Sequence, residues 1–283
     1  MMKLLTNIIL LIFGRSMVLK LRYYKQRKRF PNLKNPTDIS EILISRILSN
    51  EIDKYADLAD KIKVREYIKS KGLENILLEH YGYWDDANKI NINDLPEKFV
   101  LKLNNSGGGK NIFVCRDKAI FNIDEAKSHL NKALKCRQKI ETHYNLITPM
   151  ILCEELIDCD NGLLPIDYKF TCINGNIEEI KICSERETHY KVATKDINWN
   201  NINTAKKECL MSTEPIKPQN LDKMIEIAKI LSSDFDFVRV DLYEYKNSVR
   251  FGELTFTPAG GIIPTSTDNA IKYFGKRLRL NNI

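Results

Sequence analysis

The 283-residue chain lacks several common metal and catalytic motifs. Its seven cysteines form no CxxC pair, its four histidines form no HxxxH pair, and no GK[ST] sequence follows its glycines. These absences argue against a thiolate zinc site, a zinc-peptidase helix and a P-loop. An odd number of irregularly spaced cysteines is typical of reduced thiols in a cytosolic protein. No Ser-His-Asp or Cys-His apparatus for nucleophilic catalysis is present in the sequence.

Acidic residues are absent from the first 37 positions, which contain nine basic side chains. The whole chain has 44 Lys and Arg against 37 Asp and Glu, so the remaining 246 residues hold 35 basic and 37 acidic side chains, a net charge of −2. A nearly neutral body argues against a surface built to bind nucleic acid, and we predict no nucleic-acid partner. The content of 43% hydrophobic and 29% charged residues excludes disorder and a polytopic membrane protein.

The apolar run at residues 4–13 is too short to span a bilayer. No small-residue cleavage site follows it, and the basic cluster lies after the run rather than before it. Two alternatives stay open for residues 1–29: a helix lying on an anionic membrane surface, or an ordinary helix packed on the domain. We therefore predict a cytoplasmic protein, and the first alternative would place it peripherally on the inner face of the membrane.

Hairpins dominate the secondary structure that the sequence predicts. Helices are expected after Thr37 or Asp38, from Asp60 to Lys71, from Asp124 to about Cys136 and over 219–232, and strands over 98–103, 111–115, 149–153, 167–173, 177–183, 237–243 and 249–256. Because neighbouring strands are joined by short turns rather than by crossover helices, we predict an α+β fold with antiparallel sheets.

The first predicted hairpin combines a strand lysine with a glycine-rich tip. Lys102 lies on the strand, and Ser106, Gly107, Gly108 and Gly109 form the turn. Consecutive glycines let main-chain N–H groups approach phosphate oxygens, and the lysine supplies positive charge beside them. The alternative is a merely flexible turn.

The last predicted hairpin brings charged side chains to one face. If paired positions are centred on Asn247, Asp241 faces Glu253 and Arg239 faces Thr255, because strand residues alternate sides. Two opposed carboxylates repel each other unless a cation lies between them, so this register predicts Mg²⁺ or Mn²⁺. The alternative is a different register, with each carboxylate paired to a nearby Arg or Lys.

Together these segments resemble the ATP-grasp fold and, more narrowly, the branch named for the teichuronopeptide-biosynthesis protein TupA. The resemblance covers roughly residues 30 to 283. It rests on Asp60-Lys61 with Arg65-Glu66-Tyr67, on Glu154-Glu155-Leu156-Ile157, on Asp167-Tyr168-Lys169-Phe170, and on Phe237 to Asp241 followed by Gly252 to Gly261.

The resemblance implies a role for each matching position. The nucleotide ATP would be held by Lys61, Lys102, the 106–109 main chain, the segment Glu154, Glu155, Leu156 and Ile157, and Asp167 at the ribose. Metal ligands would be Asp241, Glu253 and Thr255, and the charged residues of catalysis would be Arg239, Lys169 and Arg186. One departure is Thr255, which stands where the superfamily commonly has Asn.

For the residues of this set that have the least specific motifs, a purely structural role stays open as an alternative. Glu154 and Glu155 could be a solvated strand end, and Lys61 could be one more charge on an exposed helix face. Arg186 and Lys191 could bind an acidic substrate or be ordinary loop charges.

The resemblance also implies a domain plan and a reaction. A leader (1–30) precedes an N-terminal region (31–97), a glycine-rich-loop subdomain (98–153) and a C-terminal subdomain with the metal site (154–283), the nucleotide lying between two α+β subdomains. The implied reaction is carbon–nitrogen ligation through an acyl phosphate, joining an amine or amino acid to a carboxylate-bearing sugar, such as a uronic acid of a surface polysaccharide or capsule. Phosphotransfer to a glycan, or a non-catalytic membrane-associated partner of polysaccharide enzymes, are the alternatives.

Overall fold

A computed structural model describes residues 2–109, 111–159, 165–184 and 191–279. Its helices are α1 Met2–Arg27, α2 Ile39–Leu48, α3 Ala56–Ala59, α4 Val64–Ser70, α5 Ile123–Leu134, α6 Leu221–Ser232 and α7 Asp268–Arg279. Its strands are β1 His80–Trp84, β2 Phe99–Leu103, β3 Ile112–Cys115, β4 Ile151–Glu155, β5 Asp167–Ile173, β6 Asn176–Ser184, β7 Lys191–Lys195, β8 Phe237–Tyr245 and β9 Ser248–Thr255.

The strands form two antiparallel sheets, which confirms the predicted α+β class. The first sheet has the order β1-β4-β2-β3, and the second has the order β7-β6-β5-β8-β9. The predicted hairpins β2/β3, β5/β6 and β8/β9 are all present as adjacent antiparallel pairs. The β5/β6 hairpin turns at Asn174 and Gly175, as expected, with φ of 50° and 74°.

Each sheet buries one face under helices and leaves a polar face for the site. Leu101 and Leu103 of β2 join Leu130 of α5 in the core of the first sheet. In the second sheet, Phe170 of β5 and Val240 of β8 pack in the core beneath α6. Because strand residues alternate sides, the charged residues between these apolar positions emerge together on the opposite face.

The N-terminus of α2 is held by a capping box at Asp38, one of the two residues after which the sequence predicts this helix. Asp38 Oδ1 accepts from the Glu41 main-chain N–H at 2.9 Å, and Glu41 Oε2 accepts from the Asp38 N–H at 3.3 Å. Tyr23 donates its hydroxyl to Asp38 Oδ2 at 2.6 Å, and Arg29 forms ion pairs with both carboxylates. Burial opposes ionisation of Glu41, but its hydrogen bonds, from Asn32, Arg29 and other donors, lower its pKa to about 2.

Helix α1 has two halves that meet at Gly14, which has φ 70°. After this kink, Leu19 and Tyr23 are buried against the body of the protein. Before it, Leu11, Ile12 and Phe13 are 88%, 62% and 61% exposed. No helix in the described ranges is long and apolar enough to cross a membrane. The second half of α1 is therefore part of the core. The domain boundaries expected from the sequence, 1–30, 31–97, 98–153 and 154–283, stay a prediction.

The helix expected from Asp60 to Lys71 is shorter than predicted. It begins at Val64, because Asp60 Oδ1 accepts from the Ile62 main-chain N–H at 2.8 Å and forms a turn before the helix. It ends before Gly72, whose φ of 73° suits a helix C-terminus.

Candidate active site

The β8/β9 pairing places the two predicted metal carboxylates directly opposite each other. Asp241 pairs with Glu253 and Arg239 pairs with Thr255, as the sequence predicts. The register shifts by one residue immediately beyond Asp241, where Gly252 lies between Glu253 and Phe251. This bulge lets the four polar side chains share one face, although the turn itself falls at Lys246 and Asn247 rather than at Asn247 alone.

Arg239 lies between the two carboxylates. Its Nε donates to Asp241 Oδ1 at 2.6 Å, and its Nη2 donates to Asp241 Oδ2 at 2.6 Å and to Glu253 Oε1 at 3.0 Å. Nη2 also donates to Thr255 Oγ1 at 3.0 Å. The predicted register and the alternative of an Arg partner are thus both present, and the bidentate geometry gives the arginine a fixed orientation.

Lys169 adds a second cation to this group. It pairs with Asp241 across β5 and β8, and its Nζ lies 2.5 Å from Asp241 Oδ2 and 2.5 Å from Asp167 Oδ2. Burial opposes the charge on Lys169, but these carboxylates outweigh it and raise its pKa. The lysine therefore stays protonated at neutral pH.

The carboxylates of Glu253 and Asp241 shift their pKa values in opposite directions. Burial opposes ionisation of Glu253, yet the charges of Lys61 and Arg239 lower its pKa to about 2. Burial raises the pKa of Asp241, against the opposing charges of Arg239 and Lys169. Adding a cation near Asp241 would reduce this cost of burying its charge.

The donor set fits a hard divalent cation shared with phosphates. Asp241 and Glu253 supply carboxylate oxygens, and Mg²⁺ commonly binds one or two carboxylates together with waters and substrate phosphates. Among the described residues, no group of three or more His, Cys, Asp or Glu forms a metal cage of its own. The residues therefore suit Mg²⁺ or Mn²⁺ completed by a nucleotide rather than a closed metal site, and Thr255 stays a predicted ligand.

A second charged cluster lies on the first sheet. Lys102 donates to Glu154 Oε1, and His80 Nε2 lies 3.7 Å from Glu154 Oε2. Burial opposes ionisation of Glu154, but Lys102 and His80 lower its pKa to about 2. Glu154 is therefore a buried ion-pair partner and not a solvated strand end. Beyond it, Leu156 and Ile157 are also buried.

Lys61 connects the glycine-rich hairpin to both charged clusters. Its Nζ donates to the Ser106 carbonyl, and its main-chain N–H donates to the Asn104 carbonyl at 3.2 Å. Burial lowers its pKa, while the carboxylate of Glu253 opposes this effect. The alternative of a charge on an exposed helix face is wrong, because Lys61 lies in the turn before α4 and points toward the site.

The glycine-rich tip has the backbone that consecutive glycines allow. Gly108 and Gly109 have φ of 71° and 70°, in the left-handed region that favours glycine. Gly107 lies beneath Tyr144, since a Cβ atom on Gly107 would be 3.3 Å from the tyrosine hydroxyl. Lys110 follows the tip but falls outside the described residues.

Of the remaining predicted residues, Lys191 and Glu155 are described by the structure and Arg186 is not. Arg186 lies outside the described residues, so its catalytic role stays a prediction. Lys191 donates to the Glu208 carbonyl at 2.8 Å at the start of β7. Glu155 is the last residue of β4, and its main-chain N–H donates to the Glu79 carbonyl at 2.9 Å.

Sequence reasoning missed two residues that the fold brings into the site. Tyr144 reaches the centre from the 142–146 segment: burial chiefly raises its pKa, and the carboxylate of Glu253 adds to the effect. His80 lies on β1, the edge strand that pairs with β4, and its register partner is Glu154. Neither has a local motif, and only the pairing of distant segments reveals them.

A family profile described as TupA-like ATPgrasp matches residues 41–277. The chain belongs to the TupA-like ATP-grasp family. Both sheets and the two charged clusters of this TupA-like protein lie within the matched range.

Several solved ligase structures are similar to this chain. An L-amino acid ligase from Bacillus licheniformis is 12% identical with a TM-score of 0.50, covering 93% of this chain and 61% of that chain. D-alanine–D-alanine ligases are also similar: the Helicobacter pylori enzyme is 14% identical with a TM-score of 0.43 over 78% of this chain and 61% of its own. The Bacillus anthracis enzyme is 13% identical with a TM-score of 0.44 over 80% of this chain and 70% of its own.

The TupA-like chain thus spans 61% of the length of two of these ligases. A search of curated protein sequences finds no significant match. At these identities the likeness shows the fold alone.

Proposed function

We propose that this protein is an ATP-dependent carboxylate–amine ligase that forms an amide through an acyl phosphate. The observation that carries the proposal is the meeting of two charged clusters from separate sheets around Lys61. The charges of Glu253, Lys102 and Glu154 all act on this lysine. Such a convergence of cations and carboxylates suits a triphosphate and its metal better than it suits an uncharged ligand.

The charged cluster on the first sheet would bind the nucleotide. Lys61 and Lys102 would contact phosphate oxygens, and the main chain of residues 106–109 would close over the triphosphate. The segment 154–157 would meet the adenine edge, and Asp167 would meet the ribose. Support for this arrangement comes from the buried Lys102–Glu154 pair and from the Lys61 contact with the glycine-rich hairpin.

The charged cluster on the second sheet would hold the metal and the reacting groups. Asp241, Glu253 and Thr255 would hold Mg²⁺ or Mn²⁺, which would neutralise phosphate charge when bound. A carboxylate oxygen of the acceptor would attack the γ-phosphorus as its bond to the ADP oxygen breaks. Lys169 and Arg239 would stabilise the negative charge at the transferred group and at the reacting carbonyl, where the amine then displaces phosphate.

The substrate proposal is a uronic acid of a surface polysaccharide as the carboxylate and an amino acid or other amine as its partner. Its support is the family's name together with the cationic side chains of Lys169 and Arg239, which could bind a carboxylate. We further propose a cytoplasmic protein that contacts the inner face of the membrane. The exposed Leu11, Ile12 and Phe13 of α1, followed by exposed Arg22 and Lys25, support this contact.

The test uses hydroxylamine in place of the unidentified amine, because it traps acyl phosphates as hydroxamates. The full chain, ATP and Mg²⁺ are mixed with glucuronate, galacturonate or single amino acids, and ADP and hydroxamate are measured. We expect both products with at least one acid and neither without Mg²⁺. ATP turnover that yields a phosphorylated sugar and no hydroxamate would favour phosphotransfer, and absence of ADP with every acid would contradict the proposal.

Matched variants connect the activity to the site. Lys102→Met and Asp241→Asn should each lower the rate by roughly 100-fold or more, because the first removes a positive charge proposed to contact the phosphates and the second removes a carboxylate proposed to hold the metal. Lys223→Met and Asp222→Asn make the same changes on the exposed surface of α6 and should leave the rate unchanged. Equal losses in the surface variants would remove the site assignment.

A further inference from the structure

A small cavity lies on the second sheet, beside the charged cluster that contains Arg239 and Asp241. Its volume is about 140 Å³, and its lining includes the cationic side chains of Lys169, Arg239 and Lys181. Phe237 and Ile263 are among its apolar lining residues. A cavity of this size accommodates a ligand on the scale of benzene. This lining favours one small, negatively charged group on a short carbon skeleton.

Lys181 reaches this cavity through the strand register. It pairs with Lys169 across β5 and β6, so both lysines emerge on the face that carries Asp241. The lysine is 7% exposed, and its Nζ lies 3.3 Å from Thr265 Oγ1 and 3.2 Å from Ser266 Oγ. A buried ammonium group held by two neutral hydroxyls costs free energy unless an anion is close to it.

The charge balance of the three cations differs. Lys169 and Arg239 both form ion pairs with Asp241: Lys169 Nζ lies 2.5 Å from its Oδ2, and Arg239 Nε lies 2.6 Å from its Oδ1. Lys181 has one carboxylate within ion-pair distance, that of Glu179 at 3.1 Å. Both oxygens of buried Glu179 accept no hydrogen bond from any described residue, so this contact is ionic and poorly aligned. Lys181 is therefore the cavity cation that is most readily shared with an incoming anion.

The roof over Lys181 is held by the first helix. Arg27 of α1 has no exposed side-chain surface and donates to the carbonyls of Ser266 and Ile263, each at 2.7 Å. It also forms an ion pair with Asp268 at 2.9 Å. These bonds fix the loop that carries Thr265 and Ser266, so the hydroxyls around Lys181 are held in place before any ligand enters.

We propose that Lys181 is a substrate-binding residue for the carboxylate acceptor. The cavity takes a small carboxylic acid, or the carboxylate-bearing end of a larger one, with the carboxylate beside Lys181 and Arg239. The apolar residues contact the adjoining carbons, which limits the size of the group that enters. This inference rests on the proposed ligase function, and it adds a residue and a size limit to the site.

The direct test needs neither turnover nor nucleotide. Trifluoroacetate, a small carboxylate, is titrated against the full chain while its ¹⁹F resonance is followed at constant ionic strength set by chloride. We expect saturable binding that acetate displaces. Lys181→Met should weaken the binding about tenfold or more, the loss expected for one charge-assisted hydrogen bond. Lys223→Met, the same change on the α6 surface, should bind as the wild type does.

A second variant guards against a folding defect. Lys181→Met leaves Glu179 buried without its cation, whereas the double variant Glu179→Gln, Lys181→Met removes the pair together. We expect the double variant to regain thermal stability but not trifluoroacetate binding. Wild-type affinity in the double variant, or no saturable binding to the wild type, would overturn the proposal.

Kinetics separate this inference from the proposed function. With any acid that gives hydroxamate, Lys181→Met should raise KM for that acid about tenfold and leave KM for ATP unchanged. A rise in both constants would indicate a structural role for the lysine. Absence of hydroxamate with every acid would contradict the ligase proposal and leave the ¹⁹F result as a separate measure of the cavity.

Discussion

Gly275 on α7 lies so close to Asp38, the N-cap of α2, that a Cβ atom on the glycine would be 2.6 Å from the Asp38 Cα. The contact is between two backbones, so neither side can move aside as a flexible side chain would. It also lies at the capping box that Tyr23 and Arg29 support. The packing of α7 on α2 therefore depends on a residue without a side chain.

Gly275→Ala should destabilise the protein despite the better helix propensity of alanine. Alanine gains about 1 kcal/mol in a helix, but overpacking against a backbone costs about 1–3 kcal/mol or more. The urea midpoint should therefore fall. Lys272→Ala, on the exposed face of the same helix, should change the free energy of unfolding by less than about 0.5 kcal/mol. An unchanged midpoint for Gly275→Ala would mean that the two helices are farther apart.

Gly252→Ala should disturb the pairing of Asp241 with Glu253 through the β-bulge. A Cβ atom there would be 2.8 Å from the Tyr243 ring and 2.9 Å from the Asp241 carbonyl oxygen. The strand would have to shift, and Asp241 and Glu253 would no longer face each other. We expect thermal stabilisation by ADP with Mg²⁺ to be lost, whereas Ser248→Ala near the hairpin turn should retain it. Full stabilisation of Gly252→Ala would show that the bulge does not position the carboxylates.

His143 should make stability depend on pH between about 7 and 4. Burial lowers its pKa from 6.5 to about 4, so it stays neutral in the folded state over this window, whereas the unfolded chain takes up a proton. Its contribution is complete above the unfolded pKa and is lost as the pH falls, by about 3 kcal/mol in total. Urea unfolding at several pH values measures this slope. His143→Phe should flatten it above pH 5, and His129→Gln, at an exposed histidine, should not.

Two deletions should separate the halves of α1. Removing residues 2–13 takes away the exposed Leu11, Ile12 and Phe13 and the partly buried Leu10, and should lower the melting temperature only slightly while lowering cosedimentation with anionic vesicles. Removing residues 2–29 also takes away Tyr23, Arg27 and Arg29 and should cost about 3 kcal/mol or more, because buried carboxylates lose their partners. Equal stability of the two deletions would show that residues 14–29 are dispensable.

Local pattern was sufficient for the hairpins and for one decisive pairing. The alternation of apolar and polar residues in 237–256 predicted that Asp241 faces Glu253, and the structure confirms that pair. Hairpin neighbours are close in sequence, so alternation and turn residues nearly determine their register. The capping box of α2 was equally accessible, because its partners lie three residues apart.

Contacts between distant segments were beyond that reasoning. The sequence could not show that His80 reaches Glu154, that Tyr144 packs against Gly107, or that Lys61 donates to Ser106. These pairs depend on the edge pairing of β1 and on how the two sheets face each other. Both are set by the packing of whole elements rather than by any local preference.

The amino-acid sequence by itself determined the α+β class, the hairpins, the family resemblance and most of the residues proposed for the site. The tertiary structure alone decided that Arg239 lies between the carboxylates of Asp241 and Glu253, and that the second half of α1 belongs to the core. It also decided that Lys181 lines a cavity beside Arg239. The physical reason is range. Backbone geometry and alternation act over a few residues, whereas charge pairing and burial depend on segments that only folding brings together.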